Sequence, residues 1–262
     1  MSDSPSENPF SGLPFFGDMA KAMNSQGPLQ WDVARQTAMM TALSGTATEP
    51  NVDPAARVGI ERLVPIADLH VRNHTGLETA PAGKLPRVVV VNRSMWVHHT
   101  LESYKPLFNE LATSLSSSST TPTDELDVVQ DDPMMNMMAS LNKMMAPAMM
   151  GMSVGTMVGQ LALKSFGQYD LPLPREPQDQ MLIVAANVDE FAHDWSIPAD
   201  DMRMWVLIHE LTSHAVLTSP HIRSAVSTVI SSYMGGFSPN PHALMERLSN
   251  MDLGNSDPMA MM

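Results

Sequence analysis

Apolar residues recur along most of the chain at helical spacing, and two short β-branched runs interrupt that rhythm. The first amphipathic stretch, Leu29 to Leu43, predicts a helix that Gly45 closes. Asp53-Pro54 opens a second helix, with the aspartate as cap and the proline in the first turn. That helix carries ARVGIERLVPIADLHV, and Pro65 is expected to kink or divide it. RVVVVN (Arg87 to Asn92) is too short and too β-branched for a helix and predicts a strand. Asn92 and Ser94 can cap the next helix, MWVHHTLESYKPLFNELA. Met134 to Phe166 predicts a long helix kinked at Pro147, and MLIVAAN (Met181 to Asn187) a second strand. In the C-terminal third, Met202, Trp205, Ile208 and Leu211 mark the apolar stripe of one more amphipathic helix. The pattern is a mainly α protein with a small β element.

The segments between these elements set the domain plan. Residues 1–28 are rich in Ser, Pro, Gly and Asn and read as a flexible arm anchored by Phe10, Phe15 and Phe16. Residues 116–132 (SSSSTTPTDELDVVQDD) read as an exposed loop whose carboxylates form a solvated charge run, since calcium-loop spacing is absent. One helical domain is expected over 29–250, with 251–262 as a flexible tail.

Composition narrows the function. Of 262 residues, 44% are hydrophobic and 16% charged, enough for a substantial core. The net charge of −13 gives no electrostatic attraction to nucleic acid or anionic lipid, so neither is an expected partner. Without cysteine, any metal must be held by histidine and carboxylate. The N-terminus lacks a basic segment and an apolar run, so a cytoplasmic location is the expectation. Many of the 25 methionines fall between Met134 and Met157, where they read as core filling; no histidine interleaves with them in a copper-binding pattern. Ala146 to Leu163 carries no charge, and Gly151, Gly155 and Gly159 recur every four residues. That pattern allows close helix contact and is also a membrane-helix pattern, so a membrane-associated helical binding protein is one alternative reading.

The chemistry concentrates in HELTSH, His209 to His214. Two histidines four apart on a helix share a face and can share a zinc ion, with the intervening glutamate as general base. Here the fourth residue after His209 is Ser213, and the next imidazole, His214, lies about 140° around a regular helix. A π-bulge would realign residues five apart and let His209 and His214 share a metal. The other histidines read as bystanders: His98, His99 and His193 as solvated or hydrogen-bonded rings, His70 and His74 as a weak accidental pair, and His242 with Glu246 as a surface pair. A Ser213 nucleophile with His209 as base lacks any oxyanion-hole or elbow sequence.

Several strings resemble the zincin-like metallopeptidase type 2 family: GPLQWDVARQ, LVPIADLHVRNHTGL, VVVNRSMWVHHTLESYKPL, VGTMVGQLALKSFGQYDLPLP and FAHDWSIPADDMRMWVLIHELTSHAVLTSPHIR. Family members look like HELTHHAV or HEVTHxxQF at the motif, and their genes are associated with deazaflavin coenzyme biosynthesis. The resemblance implies a zincin-like fold, a zinc cofactor and peptide hydrolysis. On it, His209 matches the first metal ligand and Glu210 the catalytic base, while Ser213 stands where the second ligand belongs and His214 falls one position beyond. Family members look longer, with later helices that should supply a third ligand. The expectation is a zincin-like protein with impaired or lost hydrolysis, a pseudoenzyme that holds zinc weakly or not at all and binds a peptide or protein. The alternative is an active zinc hydrolase with His209 and His214 on a bulged helix. The sequence does not decide the oligomeric state.

Overall fold

The computed structural model describes residues 27–46, 48–80, 84–118, 133–176 and 179–235, with side chains throughout except at 116–118 and 133–144. The expected arm, most of the 116–132 loop, the tail, and the His242–Glu246 pair lie outside these residues. Within them the elements run α1 (Trp31–Ala42), α2 (Pro54–Thr75), β1 (Arg87–Val91), α3 (Arg93–Ser118), α4 (Pro133–Ala162), β2 (Gln180–Val184), α5 (Ala185–Asp194), α6 (Ala199–Leu217) and α7 (Pro220–Gly235).

The two strands pair in parallel, from Arg87 opposite Gln180 to Val91 opposite Val184. Both are apolar along almost their whole length, as a parallel pair covered on two faces must be. Alternation sends Val88, Val90, Met181 and Ile183 into one core with α2, α5 and α6. Val91, Leu182 and Val184 enter a second core with α1, α3 and α4. The small sheet is thus the partition between two helical layers.

The second layer explains the glycine repeat. A Cβ on Gly151 would lie 2.6 Å from the Gln30 carbonyl oxygen, and one on Gly155 2.4 Å from that of Ala34. One on Gly159 would meet the Thr41 Cβ at 2.5 Å. Opposite them α1 buries Ala34, Ala38 and Ala42, so the two backbones touch through small residues on both sides. No helix among the described residues is long and apolar enough to cross a membrane. Ala146 to Leu163 is therefore not a membrane span: its glycines serve a helix pair inside the fold.

Other expectations fare variously. Asp53 caps α2, accepting from the Ala55 amide at 2.9 Å, and Asn92 caps α3, accepting from Met95 at 3.0 Å. The Glu49 carboxylate adds bonds from the Arg93 and Ser94 amides. Ser94 is not the cap. Pro65 does not divide α2, which runs unbroken through it. Burial of Ile60, Leu63 and Val71, worth about 1.5–3 kcal/mol each, outweighs the ~3 kcal/mol cost of an interior proline. Pro147 likewise sits inside a continuous α4, and its carbonyl accepts from the Gln30 amide at 3.1 Å. The second strand stops at Val184 rather than Asn187, because β1 offers no partner past Val91 and alanines favour the helix that follows.

Candidate functional site

The site is built where α6 passes the segment leaving α4. After Ala162 the chain turns, and Gly167 pairs antiparallel with Ile183 on the edge of β2. Five residues fasten this segment. The Val184 amide donates to Phe166 O at 2.8 Å. Asn187 Nδ2 donates to Ala162 O and Ser165 O at 2.9 and 2.7 Å. The fully buried Trp96 donates its indole N–H to Gly167 O at 2.7 Å. Arg175 Nη2 donates to Gln168 O at 3.1 Å. Tyr104 donates toward Leu173 O at 3.2 Å. Among the described residues no buried side-chain polar atom lacks a partner.

Glu210 is fully buried on α6 and points at this segment. Its carboxylate accepts from the Gln168 amide at 2.8 Å and from the Tyr169 amide at 3.0 Å. Gly167 makes the approach feasible, since a Cβ there would lie 2.4 Å from Glu210 Cδ. Burial pushes the Glu210 carboxyl above its ordinary pKa, and bonds from His209 and the Tyr169 amide pull the other way. The peptide unit joining Gln168 to Tyr169 is polarised from both ends, with its carbonyl on Arg175 and its N–H on Glu210. Arg175 is itself buried and has no carboxylate partner among the described residues. Its guanidinium lies 4.7 Å from the Tyr104 ring centroid, bonded to neutral oxygens.

His209, one residue earlier, faces the surface with its side chain 40% exposed. Nδ1 lies 3.4 Å from Glu210 Oε1, and the ring stacks on exposed Trp205 at 5.6 Å and 10°. The neighbouring Glu210 raises the His209 pKa above its ordinary value. Trp205 is thus not in the core as its spacing suggested; Val206 and Leu207 are, beside Met202 and Leu211.

His214 takes a different direction. α6 is an uninterrupted α-helix, so residues 209 and 214 diverge around it. The His214 ring is buried, and its Nδ1 shares a 2.9 Å hydrogen bond with the Tyr169 hydroxyl. Burial lowers its pKa and raises that of Tyr169. Ser213 is half-buried one turn after His209.

Among the described residues one group of potential ligands converges: Asp170, His209 and Glu210, whose ligand atoms lie within 4.8 Å of one another. His214 and Ser213 are not in it, nor are the stacked His70–His74 pair or His98 and His99. Sequence reasoning passed over Asp170. Its carboxylate accepts from the Phe166 and Gly167 amides, the latter at 2.9 Å, and these bonds aim it across the segment toward α6. Nothing in its spacing from His209 could have announced it; only its place in the string GQYDLPLP set it apart.

Comparison with known proteins agrees with this architecture. The fold is similar to a crystal structure from Chloroflexus aurantiacus described as a candidate hydrolase with a novel fold, with a TM-score of 0.56 and 18% identity. That match covers 79% of this chain and 59% of the other, so the chain spans about three-fifths of that protein. No curated protein matches the sequence. A family model described as zincin-like metallopeptidase matches residues 29–262, and the chain belongs to that family.

Proposed function

We propose that this chain is a zincin-like protein whose peptide hydrolysis is lost or impaired, and that it acts by binding a peptide or protein beside α6. The carrying observation is the division of labour between two imidazoles: His209 faces outward, while His214 is buried against Tyr169. A zinc peptidase helix needs two imidazoles on one face and an open position for water. Ser213 stands at the turn above His209, and a serine hydroxyl is a poor zinc donor. The residues present therefore do not fit the family's zinc, and no hydrolytic step is derived through it. Glu210, the base implied by the resemblance, is fully buried and committed to two backbone amides, which supports a structural rather than a proton-transferring role. Exposed Trp205, stacked on His209 beside exposed Asp170, offers an apolar and polar surface of the kind that recognises a peptide.

The test is restoration. Ser213→His places a second imidazole one turn from His209, and zinc affinity measured by competition with a chromophoric chelator should rise at least tenfold. No gain in a folded variant would count against the reading that this helix descends from a zinc-binding one.

A further inference from the structure

We infer that His70 and His74, on the exposed face of α2, chelate one divalent transition-metal ion of the imidazole-preferring class, Cu²⁺, Ni²⁺ or Zn²⁺. The site uses none of the residues described beside α6. Side chains four apart on an α-helix project from one face, and no other two histidines of this chain have that spacing. The register holds because α2 runs unbroken through Pro65 to Thr75. Both rings are exposed. Their planes lie within 5° of parallel and their centroids are 6.0 Å apart. Two imidazoles on one ion, with bonds of 2.0–2.1 Å, bring their centroids to about 5 Å, so these rings need to turn and close by about 1 Å. Among the described residues neither ring has a hydrogen bond or ion pair to give up in doing so.

The surroundings favour a cation. α2 ends just past His74, where Gly76 takes a left-handed conformation (φ 69°) and donates its N–H to Arg72 O at 3.0 Å. The carbonyls of a last turn carry partial negative charge, which attracts a positive ion. Arg72, the basic side chain between the two histidines in sequence, is drawn to the buried Asp68 carboxylate at 2.6 Å, so its charge is balanced. The donor set names the ligand class. Two neutral nitrogens without a carboxylate do not suit Ca²⁺ or Mg²⁺, which take oxygen, whereas imidazole suits Cu²⁺, Ni²⁺ and Zn²⁺. Water would complete the coordination. The ion would link two successive turns at the C-terminal end of α2, and so bind the folded helix better than the unfolded chain.

The experiment is calorimetric titration of tag-free, metal-stripped full-length protein with Ni²⁺. One ion should bind per chain. Affinity should fall at least tenfold in His70→Ala and in His74→Ala, and stay within twofold in His98→Ala and His209→Ala. Alanine at an exposed helical position is well tolerated, so both test variants should fold, with circular dichroism as the check. Saturating Ni²⁺ should raise the wild-type Tm by about 5 °C and leave that of either test variant unchanged. Absence of uptake by folded wild-type protein would overturn the inference. So would uptake indifferent to both test substitutions, and so would uptake lost in His209→Ala, which would place the ion on α6. Half an ion per chain, with dimers forming on titration, would overturn it too, since the ion would then bridge two copies.

Discussion

Replacing Gly167 by alanine isolates the contact on which the whole site depends. The φ of Gly167 is not in the left-handed region, so alanine meets no backbone penalty there, only a steric one. Its Cβ would lie 2.4 Å from Glu210 Cδ and 2.7 Å from both carboxylate oxygens. The carboxylate cannot swing away cheaply, because it is fully buried and holds the Gln168 and Tyr169 amides. Hydrogen bonds to a charged group are worth about 1.5–3 kcal/mol each, and overpacking a filled interior costs about 1–3 kcal/mol. With partial relaxation a loss of about 3 kcal/mol is expected, and at about 2–4 °C per kcal/mol for a domain of this size Tm should fall by about 6–12 °C. Urea and thermal melts monitored by circular dichroism read this directly. The control is Glu210→Ala, which removes the obstacle: adding Gly167→Ala to it should cost only about 1 kcal/mol or less, a clear departure from additivity. A single-variant loss below about 0.5 kcal/mol, or full additivity in the pair, would refute the placement of this turn against Glu210.

Three other outcomes are expected. Gly155→Ala drives a Cβ to 2.4 Å from the Ala34 carbonyl, backbone that cannot step aside, and should lose about 3 kcal/mol or more, while Ser153→Ala on the exposed face stays within about 0.5 kcal/mol in the same denaturation assay. Arg175→Lys loses the planar fork that reaches Tyr104, Thr100 and Gln168 O together, so urea unfolding should show a loss of about 2 kcal/mol. Imidazole NMR titration should split the two motif histidines, with His209 above its ordinary midpoint of 6.5 and His214 below it. For His214 the unfolded chain binds more protons than the folded one, so its contribution to stability is present above pH 6.5 and erodes as pH falls toward the lowered folded value. Coincident midpoints would contradict the opposed environments.

The elements were legible in sequence where local signals are strong. Apolar periodicity and the caps at Asp53 and Asn92 located α2 and α3, and β-branched runs located both strands. The glycine repeat announced a close helix contact but not its partner, since a small-residue stripe fits a membrane neighbour as well as α1. Pro65 does not divide α2, because a packed face outweighs a missing hydrogen bond, a tertiary effect that local sequence does not record. HELTSH drew attention to the turn of α6 that meets the 165–170 segment. The spacing also indicated that His209 and His214 diverge on a regular helix. What spacing could not show was the other half of the site. Asp170, Gly167 and the Gln168–Tyr169 amides come from a separate segment, and Arg175 reaches them from beyond it. Backbone donors leave no residue signature, and Trp205 kept its apolar character while standing outside the core against His209.

The most direct test of the central claim is cleavage of an internally quenched peptide pool by the full-length wild-type chain in the presence of Zn²⁺. The proposed loss of hydrolysis predicts no chelator-sensitive turnover, since His209 faces outward, His214 is buried against Tyr169 and Glu210 is held by two backbone amides. Turnover that a chelator abolishes and that Glu210→Gln also removes would contradict it.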